Sequence, residues 1–329
     1  MLQAVLLFLL GFVLLIKGGD WFVDGATGIA ERFHLPELLI GATVVSIGTT
    51  LPEVMVSAQA ALAGNSGISY GNAIGSIICN TSLIAALTVA IKPGIVKKQT
   101  LYLPACAFFL AAIAYAFIAY LNGGFERWHG ICLLVAFVVY IVLSIMQMKK
   151  TGNTDMEELA EVVEEEIEEK KETSLGKELL LLLIGAIAIA IGANLLVENG
   201  TIIAAALGVP DSVIGLTMVA LGTSLPELIT AITSLMKGHG ALSLGNVIGA
   251  NLFNIILVSG AAISISPFRI PSEKMLMGMN SSLLIDIPVV FIVMSLLCLP
   301  PLLKGKLYRW QGILLLLIYV AFTAYQFLF

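Results

Sequence analysis

The sequence predicts an all-α polytopic membrane protein: ten transmembrane helices forming two inverted five-helix repeats. Three observations carry that prediction. Of 329 residues, 59% are hydrophobic and 12% charged, with mean hydropathy +1.00, whereas soluble domains carry roughly 25% charged residues. Apolar runs of about 20 residues, the length that crosses a bilayer, recur along the whole chain. One segment occurs twice, offset by 174 residues without a gap.

Apolar runs between turn signals place the spans near residues 2–26, 36–63, 68–91, 100–121, 129–148, 176–205, 210–236, 242–264, 281–303 and 308–328. The opening MLQAVLLFLLGFVLLI has neither a basic leader nor a small-residue cleavage site. It therefore reads as a retained first helix. The only long polar segment runs from Lys149 to Lys177. It divides the chain into a first repeat (1–148), an acidic loop (149–177) and a second, inverted repeat (178–329).

Basic residues set the orientation. With these spans, one side receives thirteen: Arg32, Lys92, Lys97, Lys98, Lys149, Lys150, Lys170, Lys171, Lys177, Lys237, Lys304, Lys306 and Arg309. The other side receives Arg127, Arg269 and Lys274, and Lys17 falls inside the first span. Cytoplasmic loops carry the excess of Lys and Arg. The expectation is an integral plasma-membrane protein with both termini outside and the acidic loop cytoplasmic. That loop contains DMEELAEVVEEEIEEKKE. It lacks the Asp-x-Asp spacing and turn glycine of a calcium-binding loop, and reads as a solvated connector. Cys79, Cys106, Cys132 and Cys298 sit in apolar stretches without metal-ligand spacing. Nothing suggests nucleic acid.

The duplication is the strongest signal. Residues 40–53, IGATVVSIGTTLPE, match 214–227, IGLTMVALGTSLPE, and residues 71–80, GNAIGSIICN, match 245–254, GNVIGANLFN. Pro36 falls over Pro210 in the same register. An odd number of spans per repeat makes the second copy enter the membrane from the opposite face. Inverted repeats related by a two-fold axis in the membrane plane characterise secondary transporters, with the substrate site near the midplane.

The chemistry inside the repeat is specific. Glu53 and Glu227 lie in apolar spans, where ionisable side chains are expensive and usually functional. Thr49 and Thr50 precede Glu53, as Thr223 and Ser224 precede Glu227. Spacings of three and four put these hydroxyls on the glutamate's helix face. Pro52 and Pro226 have no amide hydrogen, so the carbonyls of Gly48 and Gly222 lose their helical donors. The helix is expected to break there and turn carbonyls towards a cavity. Two carboxylates, hydroxyls and free carbonyls make an all-oxygen environment suited to hard cations such as Ca²⁺. In the next span Ser76 and Asn80 share a face, with Ala250 and Asn254 equivalent. Asn72 and Asn246 read chiefly as helix caps.

Blander readings stand beside these. The glutamates could form a structural buried pair, and Asn80 and Asn254 could be interhelical glue. Gly75 and Gly249 suit close packing as well as a site. Lys17 with Asp20 reads as a local pair, and Asp286 as interfacial. His34, His129 and His239 fall at loops or span ends, which suits neither a proton relay nor a metal site.

The paired G-T-[ST]-L-P-E and G-N-x-I-G-x-x-x-x-N blocks resemble the α-repeats of the calcium/cation antiporter superfamily, especially the short prokaryotic sodium/calcium exchangers. The resemblance covers essentially the whole chain. It implies an antiporter exchanging Ca²⁺ for Na⁺ by alternating access, with the first and sixth spans as the moving elements. It implies a Ca²⁺ site of Glu53, Glu227, Thr49 and Thr223. Flanking Na⁺ sites would use Ser46, Thr50, Ser76, Asn80, Ala220, Ser224 and Asn254, with Ser46 and Ala220 acting through their carbonyls. No prosthetic group, enzyme activity or protein partner is implied, and a monomer suffices. Some relatives carry Asp where this chain has Asn254, and Ala250 replaces a frequent serine. Ca²⁺/H⁺ exchange, with protons on the same glutamates, is the close alternative. A cation channel could use the same ligands. An intramembrane enzyme lacks any nucleophile–histidine set or HExxH motif.

Overall fold

In hydrocarbon no water can satisfy backbone amides and carbonyls, so long apolar segments must bond internally as helices. The computed structural model describes residues 2–162, 174–207, 222, 224–270, 275–276 and 279–328. The helices are α1 (Leu2–Arg32), α2 (Glu37–Leu62), α3 (Ser66–Ile91), α4 (Lys98–Asn122), α5 (Arg127–Val162), α6 (Leu175–Ala206), α7 (Leu225–Met236), α8 (Gly240–Ile265), α9 (Ser282–Lys304) and α10 (Arg309–Leu328). Among the described residues, eight helices are long and apolar enough to cross a membrane: α1 to α6, α8 and α9. α7 is a shorter apolar helix, and the first part of the expected 210–236 span lies outside the described residues. The expected boundary at residue 148 falls within α5, which continues to Val162.

Antiparallel α1 and α6 make the most extensive helix contact in the described structure. Glycines permit it. A Cβ on Gly11 would lie 2.8 Å from the Gly192 carbonyl oxygen, and one on Gly185 would lie 2.8 Å from that of Gly18. Small residues let membrane helices approach backbone to backbone. The apolar core is correspondingly divided. One cluster joins α1 and α6 to the first part of α2, through Phe22, Val23, Ile189 and Ile40. The larger cluster fills the space among α3, α4, α8 and α9, with Phe108, Phe253, Ile77 and Val293.

The duplicated sequence folds the same turn twice. α2 ends on Gly64 at φ +73°, and α7 on Gly238 at φ +91°. Such left-handed positions at helix ends favour glycine. Gly64 N donates to Ala61 O and Asn65 N to Ala60 O, while Gly238 N donates to Leu235 O and His239 N to Ser234 O. These are the same bonds 174 residues apart.

Short pairings tie the helix ends together. β1 (Gly124–Phe125) runs antiparallel to β2 (Phe268–Arg269), so the α4–α5 and α8–α9 connectors meet. The small hairpin of β3 (Met275–Leu276) and β4 (Met279–Asn280) follows. Ile95 bridges to Lys306, joining the α3–α4 and α9–α10 connectors. His239 Nδ1 lies 2.7 Å from Glu37 Oε1, bringing the α7–α8 connector to the start of α2.

Candidate cation site

Wide π turns interrupt the central helices at Gly41–Val45 in α2, Asn80–Ala85 in α3 and Asn254–Ser259 in α8. Such turns inside α-helices concentrate at functional sites. The turns in α3 and α8 begin at the two repeat-mated asparagines. The α3 turn lies against α7, which carries Glu227, and the α8 turn lies against α2, which carries Glu53. The four elements thus cross in two equivalent pairs.

Glu53 and Glu227 are fully buried, and Glu53 lies within electrostatic range of Glu227. Neither carboxylate has a hydrogen-bond partner or an ion-pair partner among the described residues. Ionised carboxylates left in this state would be very costly, because a low-dielectric interior repays a buried charge only through close partners. Other polar side chains on or beside the same helices share this pattern. Thr50 Oγ1, Ser224 Oγ and both carboxamide atoms of Asn80 and Asn254 are buried without partners among the described residues. Buried polar groups are normally satisfied, so this cluster has the donor set of a site for a hard cation.

Most residues singled out in the sequence lie buried on the helices that cross here. Ser46, Thr49, Thr50 and Glu53 come from α2, Ser76 and Asn80 from α3, Glu227 from α7 and Asn254 from α8; all are buried, as is Ser224 immediately before α7. Ala220 and Thr223 lie outside the described residues. Thr49 lies beside Glu227. Asn80 and Asn254 do not act as interhelical glue towards any described residue, since their carboxamides bond none of them. Among the described residues no cluster of three or more His, Cys, Asp and Glu occurs. The set is oxygen-rich, unlike a transition-metal site.

Three local expectations need correction. The helix does not break at Pro52: it is α-helical from Ser46 to Leu62, and the irregularity sits upstream at Gly41–Val45. Neighbouring helices let a membrane helix absorb a proline whose lost hydrogen bond would break it in water. In the second copy Ser224, at φ −90° and ψ 3°, precedes a helix that starts at Leu225, with Pro226 in its first turn, where proline is well tolerated. Asn72 and Asn246 are not caps, because their helices begin six residues earlier at Ser66 and Gly240. Asn72 Nδ2 donates to Glu53 O at 3.1 Å and Ser57 Oγ at 2.9 Å. Asn246 Oδ1 accepts from Thr49 Oγ1 at 3.2 Å. Cys79, also missed, lies beside Ser224 and within electrostatic range of both glutamates.

A small cavity lies between this cluster and α1 and α6. Its volume is about 10 Å³, and it is lined by Phe22, Gly48, Thr49, Pro52, Ala186 and Pro226, among others. A Cβ on Gly48 would lie 2.9 Å from the Phe22 ring, and one on Gly222 2.5 Å from Val197 Cγ2. Both motif glycines therefore let α1 and α6 close on the core.

Residues 3–146 and 177–328 match the sequence model of the family described as sodium/calcium exchanger protein. The chain belongs to the sodium/calcium exchanger family. An uncharacterised membrane protein of Methanocaldococcus jannaschii is 38% identical over 95% of this chain and 94% of its own length. The sodium/calcium exchanger MaX1 of Methanosarcina acetivorans is 33% identical over 98% of both chains. A solved structure of the sodium-calcium exchanger NCX_Mj soaked with Na⁺ and Sr²⁺ aligns over 98% of both chains, with TM-score 0.81 and 36% identity. The chain is thus an all-helical membrane transporter of the exchanger family, and a secondary transporter rather than an enzyme.

Proposed function

We propose that this protein exchanges Ca²⁺ for Na⁺ across the membrane by alternating access, at a site centred on Glu53 and Glu227. One observation carries the reading: two fully buried carboxylates with no cationic side chain on them among the described residues, on helices that also carry buried hydroxyl and carboxamide groups with unused bonding capacity. One Ca²⁺ cancels their charge, and Na⁺ ions in the same region can do so in its place. The ligand set is Thr49, Thr223, Glu53 and Glu227 for Ca²⁺, with Ser46, Thr50, Ser76, Asn80, Ala220, Ser224 and Asn254 around the Na⁺ ions. An empty, ionised site is too costly to move through the membrane, which couples the two fluxes.

The chain crosses the membrane ten times as two inverted repeats, with the acidic loop between them in the cytoplasm and both termini outside. Paired contacts support the inversion. Gly11 meets Gly192 while its mate Gly185 meets Gly18, the reciprocity a two-fold axis produces. The connector pairings support the orientation, because Gly124–Phe125 and Phe268–Arg269 both fall on the lysine-poor side and Ile95 and Lys306 on the lysine-rich side. The glycine-lined contact of α1 with α6, in its own apolar cluster, suits a unit that slides over the core.

The test is Ca²⁺ uptake into sealed vesicles, driven separately by outward Na⁺, K⁺ and H⁺ gradients. Uptake with Na⁺ alone supports the proposal. Uptake with protons alone would assign the glutamates to Ca²⁺/H⁺ exchange, and uptake without any counter-ion would indicate a channel.

A further inference from the structure

Asn246 and Asn72 occupy the same position in the two repeats, yet their carboxamides face different tasks. Asn72 points its nitrogen at its own repeat, towards the Glu53 carbonyl and Ser57. In the second repeat Ala231 stands where Ser57 would be matched. Asn246 instead reaches across to α2, and its carboxamide oxygen lies 3.2 Å from Thr49 Oγ1 and 3.3 Å from Ser46 Oγ. The side chain is fully buried.

Backbone packing fixes it there. A Cβ on Gly245 would lie 2.1 Å from Leu38 O, and one on Gly249 2.3 Å from Ser46 Oγ. The glycines on either side of Asn246 therefore hold α8 against α2, leaving the carboxamide little room to turn.

Hydrogen counting then assigns the role. A hydroxyl has one hydrogen and two acceptor lone pairs. Ser46 has shorter bonds to backbone oxygens, 2.7 Å to Gly41 O and 2.9 Å to Asn246 O. The Asn246 oxygen is thus left to take the Thr49 hydrogen. Glu227 lies close enough to Thr49 to draw the same hydrogen, so its carboxylate and the Asn246 oxygen compete for it; when the hydrogen goes to Asn246, Thr49 presents only lone pairs towards Glu227. Two acceptors facing each other repel unless a cation sits between them. The Asn246 nitrogen has no partner among the described residues, so the end that is used is the one that accepts a hydroxyl hydrogen.

We propose that Asn246 is a positioning residue for transport: it draws the Thr49 hydroxyl hydrogen away from the cation and aims the Thr49 lone pairs at it. Groups behind a ligand commonly set its orientation, and losing one typically costs about 10–100-fold in metal affinity. The inference rests on the reading of Thr49 as a Ca²⁺ ligand.

The experiment measures Ca²⁺ KM and kcat for Na⁺-driven uptake in vesicles holding wild type, Asn246→Leu, Thr49→Val and the double variant, with thermal melts in detergent. The expected result is a Ca²⁺ KM raised about tenfold by Asn246→Leu, with kcat changed much less. In the Thr49→Val background the same change should add almost nothing, because the hydroxyl it orients is gone. Additive effects, or an unchanged KM in Asn246→Leu, overturn the proposal. An unchanged KM in Thr49→Val alone would instead remove Thr49 from the ligand set, and the proposal with it. If Asn246→Leu fails to fold, Asn246→Asp keeps the accepting oxygen and its Ca²⁺ KM should not rise. A tenfold rise there overturns the proposal equally.

Discussion

Arg32 and Glu178 form a two-pronged ion pair between the end of α1 and the start of α6, with Nε 2.9 Å from Oε2 and Nη2 3.0 Å from Oε1. Parallel bonds of this kind use the planar fork of the guanidinium and are stronger than a single contact. The Glu178 side chain is only 4% exposed, and Gly28 leaves the room it occupies, since a Cβ there would lie 2.9 Å from Glu178 Cγ. The pair fastens the two long helices to each other and not to the core.

Removing Arg32 takes a strong two-pronged contact away from the buried Glu178. Arg32→Ala is therefore expected to destabilise the protein by about 3 kcal/mol, with a clear fall in melting temperature in detergent. Glu178→Gln removes the charge as well and should cost much less. Equal melting curves for Arg32→Ala and wild type would mean that the pair contributes nothing to holding α1 on α6.

Replacing Glu53 or Glu227 by Gln keeps shape and removes one charge from a site for a divalent ion. Each single variant is expected to insert and fold but to lose most Ca²⁺ transport, by roughly tenfold or more, as for other transition-specific or ligand charges removed from a buried site. Vesicle uptake with matched protein amounts measures this. Near-normal flux in both variants would move the central site elsewhere.

Orientation has its own measurement. By the excess of Lys and Arg in cytoplasmic loops, thirteen basic residues against three are expected to place the acidic loop in the cytoplasm. In a cysteine-free background, an impermeant thiol reagent applied outside should label a cysteine added after Phe329 and spare Thr154→Cys. The reverse pattern would invert the topology.

Asn254 is the position of the proposed site where the resemblance sets Asp in some family members. Its carboxamide is buried without a partner among the described residues, and with Ca²⁺ bound the two glutamates already balance the ion. Wild-type exchange is expected to be independent of K⁺. Asn254→Asp adds a carboxylate that must bind another cation or stay protonated, because desolvation and like charges favour its neutral form. Its transport should therefore become more sensitive to pH or monovalent ions, with little change in melting temperature. Superimposable ion and pH profiles for the two proteins would leave Asn254 without a role in charge balance.

Much of the candidate site was legible because it is written twice. Glu53 and Glu227, their hydroxyl neighbours and Asn80 with Asn254 stand out as polar residues in apolar runs, and repetition in register removes chance. The expected spans end near residues 63 and 236, close to the left-handed Gly64 and Gly238 that close α2 and α7. Asn246 was misread because Gly-Asn before an apolar run imitates a helix start. Only the fold shows the helix beginning at Gly240 and the side chain meeting Thr49 across 197 residues.

By itself the sequence determined that the chain enters a membrane, how its polar ligands are duplicated and which family it resembles. These follow from local quantities: hydropathy, charge and repetition. The tertiary structure decided that Pro52 is carried within an unbroken helix, that α1 lies on α6 through facing glycines, and that Asn246 sits behind Thr49. Periodicity reports which face of a helix is apolar but not which helix covers it. That pairing depends on backbone approach and on hydrogen bonds between residues far apart in the chain, and these exist only once the helices have packed.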